Sequence, residues 1–196
     1  MKKIEIIWRE MLFQALEKGS RNFTQKDLAA KFGFSVSTVF QALKVPRKMG
    51  AVRVGGRQFV LTDPEKLLYL WASVRNPESD LVLKGRVNLS ALETEGLMPP
   101  ESVFGAFGAA RKILGEAPAD YAKVYVYTDG ISDIKKRFEL GAGPANLFVL
   151  KPDKYLAGYG EITTLAQTFV DLWNLDDWYA KDFTKAMKEK IDGLLP

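Results

Sequence analysis

The chain contains neither cysteine nor histidine among its 196 residues. Disulfides are thereby excluded, and so are thiolate nucleophiles, zinc fingers, Ser-His-Asp triads and histidine-ligated metals. Any catalysis would have to run on carboxylates, lysines or hydroxyls, and no cofactor or metal is implied. Also missing is any apolar run near the roughly 18 residues that a bilayer span requires. The opening MKKIEIIWRE carries acidic residues inside its apolar stretch and has no small-residue cleavage site, which argues against a secretory signal and for a cytoplasmic protein. What is present suits compact folding: 47% of residues are hydrophobic and 27% charged. At this length two compact units are more natural than one.

The most informative stretch is QKDLAAKFGFSVSTVFQA, from Gln25 to Ala42. Ala29, Gly33 and Val39 stand four and then six residues apart, the skeleton of a helix-turn-helix. Ala29 must be small because the second helix crosses over it. Gly33 falls where the turn needs positive φ, which is cheap only without a Cβ. Val39 points back into a shared core, to which Leu28, Phe32, Phe34, Val36 and Leu43 add apolar contacts at helical spacing. A helical hairpin that merely packs is the bland alternative, and the flanks argue against it. Residues 3–18 place Ile4, Ile7, Trp8, Met11, Leu12 and Ala15 on one broad face of an amphipathic helix. Thr24 and Ser35 offer N-caps for the two paired helices. The spacing predicts that the second of these ends near Lys44, because Pro46 disfavours helical geometry at Val45. AVRVGGRQFVLT then reads as a hairpin turning at Gly55-Gly56. Three helices followed by a small hairpin is the winged helix-turn-helix arrangement.

Charge points to the partner. Between Ser20 and Arg57 eight basic residues face Asp27 alone. Residues 1–75 hold fourteen basic against six acidic residues, and 76–196 hold fourteen against eighteen. Such asymmetry is the footprint of a nucleic-acid-binding unit joined to one with another task, although a solvated basic face is the plainer alternative. In this motif the second paired helix enters the major groove. Its polar positions are Ser35, Ser37, Thr38 and Gln41, of which Gln41 could pair bidentately with adenine. Lys44, Arg47 and Lys48 at the helix exit are better placed as phosphate clamps. Arg53 and Arg57 in the hairpin could hold phosphates or enter the minor groove.

Residues 1–76 thus form the expected DNA-binding unit, closed by a connector helix over 64–75, with Asp63 or Thr62 as its cap and Leu67, Leu68, Leu70 and Trp71 on its buried side. Arg75-Asn76-Pro77-Glu78-Ser79 reads as the boundary. Residues 77–196 alternate strand and helix signals: strands in 81–88, 122–128 and 146–151, a helix opened by Pro99-Pro100 and running to about Leu114, a short helix in 131–138, and two closing helices over Thr163–Leu175 and Trp178–Leu194. The expected fold class is α+β, a winged helix-turn-helix domain followed by a small α/β domain with a mixed sheet. Gly105 and Gly108 fall inside the predicted helix, where close packing is their best explanation. GAGPAN (141–146) lacks the following Lys-Ser or Lys-Thr of a nucleotide loop and reads as a turn. Asp129, Glu139 and Lys151 could be arranged as a metal-dependent nuclease centre, but the Glu and Lys lack its usual spacing of two on one strand. Trp173, Trp178 and Tyr179 beside Asp171, Asp176, Asp177 and Asp182 suit either a protein interface or a core with an acidic rim.

The run from the hairpin through TDPEKLLYLWASVRN into SVFGAFGAARKIL and LAQTFVDLWNLDDWYAKDF resembles the AbiEi antitoxin family, in the branch described as archaeal transcriptional regulators. That resemblance implies an N-terminal winged helix-turn-helix, a C-terminal antitoxin-like domain, autorepression through inverted repeats, and opposition to a nucleotidyltransferase-like toxin. It implies operator contacts at Ser37, Thr38, Gln41, Lys44, Arg53 and Arg57. The expected partners are therefore double-stranded DNA, such a toxin, and a second copy of the chain, because one winged helix covers only a short half-site. Two other functions stay open: a ligand-sensing regulator, and a metal-dependent nucleic-acid-processing enzyme.

Overall fold

In the computed structural model, which describes residues 1–195, helix α1 (Lys3–Glu17) is buried on nearly every side. One amphipathic face would not achieve that. It lies against helix α3 (Val36–Lys48) on one flank and against α4 (Pro64–Val74) and α8 (Leu165–Trp173) on the others, so it serves both halves of the chain. Glu5, Arg9 and Glu10 are buried along with Ile6, Ile7, Trp8, Met11 and Leu12. Buried charge is tolerated only with partners, and each of the three has them.

Local chemistry sets the next elements. Strand β1 (Asn22–Thr24) runs into α2 (Gln25–Phe32), and the Thr24 hydroxyl accepts from the Asp27 N–H at 3.0 Å. Gly33 ends α2 in the left-handed region at φ 59°, and the Phe34 N–H closes the turn onto the Ala29 carbonyl at 2.9 Å. Ser35 caps α3 through the Thr38 N–H.

Helix α3 does not stop at Lys44; it continues through Pro46 to Lys48. Proline has no N–H for the carbonyl four residues back, here that of Ala42. The Trp8 indole N–H donates to this carbonyl at 2.8 Å and takes the place of the missing backbone donor. A side chain from α1 therefore underwrites the last turn of α3.

Strands β2 (Val52–Gly55) and β3 (Gln58–Leu61) form the hairpin, with β1 completing an antiparallel sheet in the order β1-β3-β2. Gly55 pairs with Gln58, so the two-residue turn is Gly56-Arg57, one position later than the sequence suggested. Gly56 takes φ 59° there.

The second sheet is mixed. Its strands β4 (Leu81–Gly85), β5 (Val103–Gly105), β6 (Val124–Tyr127) and β7 (Leu147–Leu150) stand in the order β4-β7-β6-β5. Only β6 and β7 are parallel, joined through α7 (Ile131–Arg137). Alternation divides the strands between two cores. Val124, Val126, Leu147 and Val149 meet Ala91, Ile134 and Phe138 on one face. Tyr125, Tyr127 and Leu150 meet α6 (Ala106–Leu114), α8 and α9 (Ala180–Asp192) on the other, in a core that continues without a break into α1, α3 and α4.

One expectation fails here, and one element lies outside the sequence reading. The predicted helix from Pro99 is instead β5 followed by α6, because Val103 and Phe104 pair with Tyr127 and Val126 on β6. Helix α5 (Ala91–Gly96) was not expected, although Ser90 and Glu93 form a reciprocal capping box. The two glycines mark close approaches. A Cβ on Gly105 would stand 2.9 Å from Tyr127 Cε2, and one on Gly108 2.6 Å from the buried Glu95 carboxylate, which binds Tyr121 and Arg111.

The stretch read as the boundary is an ionic junction. Arg75 is 4% exposed. Its Nε donates to Asp171 at 2.8 Å, one terminal nitrogen to Asp80 at 2.6 Å and the other to the Tyr127 hydroxyl at 3.0 Å. Burial opposes its charge, yet Asp171, Tyr127 and Asp80 more than offset this and hold the guanidinium firmly protonated. Arg9 makes a second clamp, bidentate on Asp153 at 2.7 and 2.8 Å, with Gln167 at 3.1 Å. Each arginine comes from the first half of the chain and each finds acceptors in the second.

Candidate nucleic-acid interface

Helix α3 buries Val39, Ala42, Leu43 and Pro46 against the core. At 100° per residue this turns Ser37, Gln41, Lys44 and Lys48 directly outward. Ser37, Gln41, Lys44, Arg47 and Lys48 are all exposed, and Thr38 is half-buried beside them. Ser35 is exposed too, but its hydroxyl is committed: it accepts the Thr38 N–H and lies 2.9 Å from both the Ser37 and Thr38 hydroxyls. It acts as the helix cap, which leaves it less free for a ligand than the sequence suggested.

Arg47 and Lys48 occupy the last turn of α3, where cations are favoured by the helix dipole. From there Gly50, at φ 77°, turns the chain through the buried Ala51 into β2. Arg53 pairs with Val60 in the hairpin register, and Arg57 sits in its turn; both are exposed. Among the described residues, Lys44, Arg47, Lys48, Arg53 and Arg57 make no ion pair. Lys31 differs. It is bonded to Glu10, whose ionisation burial opposes, but the bonds from Lys31, Tyr159 and Gln14 hold that carboxyl below its ordinary range.

Sequence reasoning missed one property of this helix. Val36, assigned to the core, is 50% exposed, and Phe40 is 40% exposed. They stand one turn apart on a flank of the outward face, with the Lys44 ammonium 5.7 Å from the Phe40 ring centre. For Phe40 the clue was available, since it falls off the line through Val39, Leu43 and Pro46; Val36 lies on that line, seven residues before Leu43, and is exposed because it opens the helix.

Comparison of the chain with protein families, curated proteins and solved structures finds no match.

The other candidates separate. Asp129 follows β6 and Lys151 follows β7, at the same end of two parallel strands whose Tyr127 and Leu150 are paired. Glu139 lies beside Gly141, which bridges Arg86 at the opposite end of the sheet. The three are not brought together, and among the described residues no group of three or more acidic side chains is arranged to hold a metal. GAGPAN is a turn whose Asn146 binds both backbone groups of Val87. The aromatic-acidic segment splits: Asp171 and Tyr179 are interior, while Trp173 is 50% and Trp178 79% exposed. A cleft of about 420 Å³ opens beside Arg75, between Pro77, Tyr125, Phe148 and Asp176. No helix among the described residues is long and apolar enough to cross a membrane.

Proposed function

We propose that this protein is a sequence-specific double-stranded DNA-binding regulator, built on a winged helix-turn-helix and acting as a repressor of its own operon. The observation that carries the reading is the α3 face: Ser37, Gln41 and Lys44 outward in one row, with the exposed cations Arg47, Lys48, Arg53 and Arg57 along the path from that helix to the hairpin. A rod of this width fits the major groove, where Gln41 meets base edges. Lys44, Arg47 and Lys48 bind phosphates, and Arg53 and Arg57 do so from the hairpin as a wing. Phosphate contacts supply salt-sensitive affinity and orientation; the few base contacts choose the sequence. Two copies on an inverted repeat would double both terms.

The test is fluorescence anisotropy of the full chain on generic duplex across a salt series. Arg53→Ala with Arg57→Ala should weaken binding on all duplexes and lower the log-log salt slope by about two, one for each phosphate that is no longer neutralised. Unchanged affinity and slope would remove the hairpin from the interface.

The second half has two supported roles. The exposed Trp173 and Trp178 offer a surface for a protein partner, which under the family resemblance is a nucleotidyltransferase-like toxin. Against this, the cleft beside Arg75 favours a ligand-sensing regulator, because Arg75, at the end of α4, also pairs with Glu5 on α1, the helix against which α3 packs. A metabolite that shifts operator affinity would select the second role; a toxin retained by the wild type and released by Trp178→Ala would select the first.

A further inference from the structure

Three apolar residues of α3 are exposed, Val36, Phe40 and Val45, and Val45 stands apart on the far side of the outward row; the pair that shares a flank, Val36 and Phe40, is not explained by phosphate binding or by Gln41. Val36 opens the helix and Phe40 follows one turn on, so their side chains are neighbours on one flank. The core side of α3 is made by Val39, Ala42, Leu43 and Pro46, while Val36 and Phe40 stand largely in solvent. Bare hydrocarbon set among cations is a poor surface for solvent, yet it complements a polyanion that presents methyl groups between its phosphates. Duplex DNA is such a surface: in the major groove the C5 methyl of thymine is the one apolar feature of a base edge. The first turns of a groove-bound helix are also the part that meets base edges.

We infer that Val36 and Phe40 form an apolar notch that reads a thymine C5 methyl, so that sequence choice rests on this contact as well as on Gln41. The inference depends on the DNA-binding reading above and adds its chemical selectivity. Lys44, close to the Phe40 ring, anchors the neighbouring phosphate and fixes the ring's height in the groove. A protein partner on the same flank would instead bury the ring against side chains and leave DNA binding indifferent to the methyl.

The experiment selects a preferred duplex from a random pool with the full chain, then replaces each thymine in turn by deoxyuridine. That change removes only the methyl and preserves base pairing. Affinity should fall about fourfold at one or two positions in each half-site, the value of one buried methyl-sized group. In Phe40→Ala the thymine-uracil difference at those positions should vanish while generic duplex binding at low salt persists. Phe40→Leu, which keeps an apolar tip, should retain part of it. Equal binding of thymine and uracil at every position by the wild type overturns the inference and leaves the DNA-binding reading standing. So does a full difference retained by both Phe40→Ala and Val36→Ala. If the full chain binds no duplex even at low salt, the broader reading falls and takes this one with it.

Discussion

Trp8 and Pro46 are coupled through a carbonyl that neither owns, and that coupling can be measured. The Ala42 oxygen lies in a helix interior, on a residue 1% exposed, and its ordinary partner would be the N–H of residue 46. Trp8 supplies the donor at 2.8 Å. In Trp8→Phe the carbonyl is left buried and unpaired, which costs about 1–3 kcal/mol, and the smaller ring adds a packing loss. Pro46→Ala returns a backbone N–H to the same oxygen. In that background Trp8→Phe should cost only the packing loss, so the double-mutant cycle isolates a coupling of about 1–3 kcal/mol. Urea unfolding of the four proteins gives the cycle, followed by far-ultraviolet circular dichroism so that the altered tryptophan is not itself the probe. If Trp8→Phe costs the same in both backgrounds within about 0.5 kcal/mol, the indole is not the substitute donor and α3 passes through its proline by some other means.

Other perturbations test the junction and the turns. Arg75→Met should destabilise the whole chain by about 3–5 kcal/mol, because Asp171 stays buried without its cation while Asp80 keeps only the terminal ammonium of Met1; a loss under about 1 kcal/mol in urea would show that the network is not needed. Gly33→Ala meets no atom within 4 Å but must adopt φ 59°, so it should cost about 1–2 kcal/mol, and Gly33→Asn less, by thermal or chemical unfolding. Glu10 is held below its ordinary 4.5, so its contribution is present above that value and is lost as pH falls through the lower folded value. Glu10→Gln should therefore flatten the acid limb of the stability-pH curve below about 4.5; an unchanged limb would assign acid sensitivity to other groups.

Much of the first half was legible because its signals are local. Thr24, Ser35 and Asp63 each bond the N–H three residues on, as a cap must. Gly33 has the positive φ that the four-then-six spacing required, and the hairpin formed at the glycines, one residue late. The capping box of α5, Ser90 with Glu93, is a local signal of the same kind. Of the residues expected to contact DNA, Gln41, Lys44, Arg47, Lys48, Arg53 and Arg57 are exposed, while the hydroxyls of Ser35, Ser37 and Thr38 bond one another at the start of α3. Val36 has the helical spacing of a core residue, and only its place at the very start of α3 leaves it in solvent beside Phe40.

Strand β5 shows how the remainder arose. Val103 and Phe104 sit in a run that could be helix, and only the open edge of β6 makes them strand. Pro46 has its usual disruptive preference, and only a tryptophan 38 positions earlier supplies what the helix lacks. Asp171 and Arg75 look like surface charges until each is the other's partner in the interior. Caps, turns and amphipathic faces follow from neighbours a few residues apart, whose bonds form wherever the rest of the chain lies. Pairing across a sheet, burial on every side of α1 and the fate of each charge depend on residues distant in the chain, and no short-range pattern encodes where those will stand.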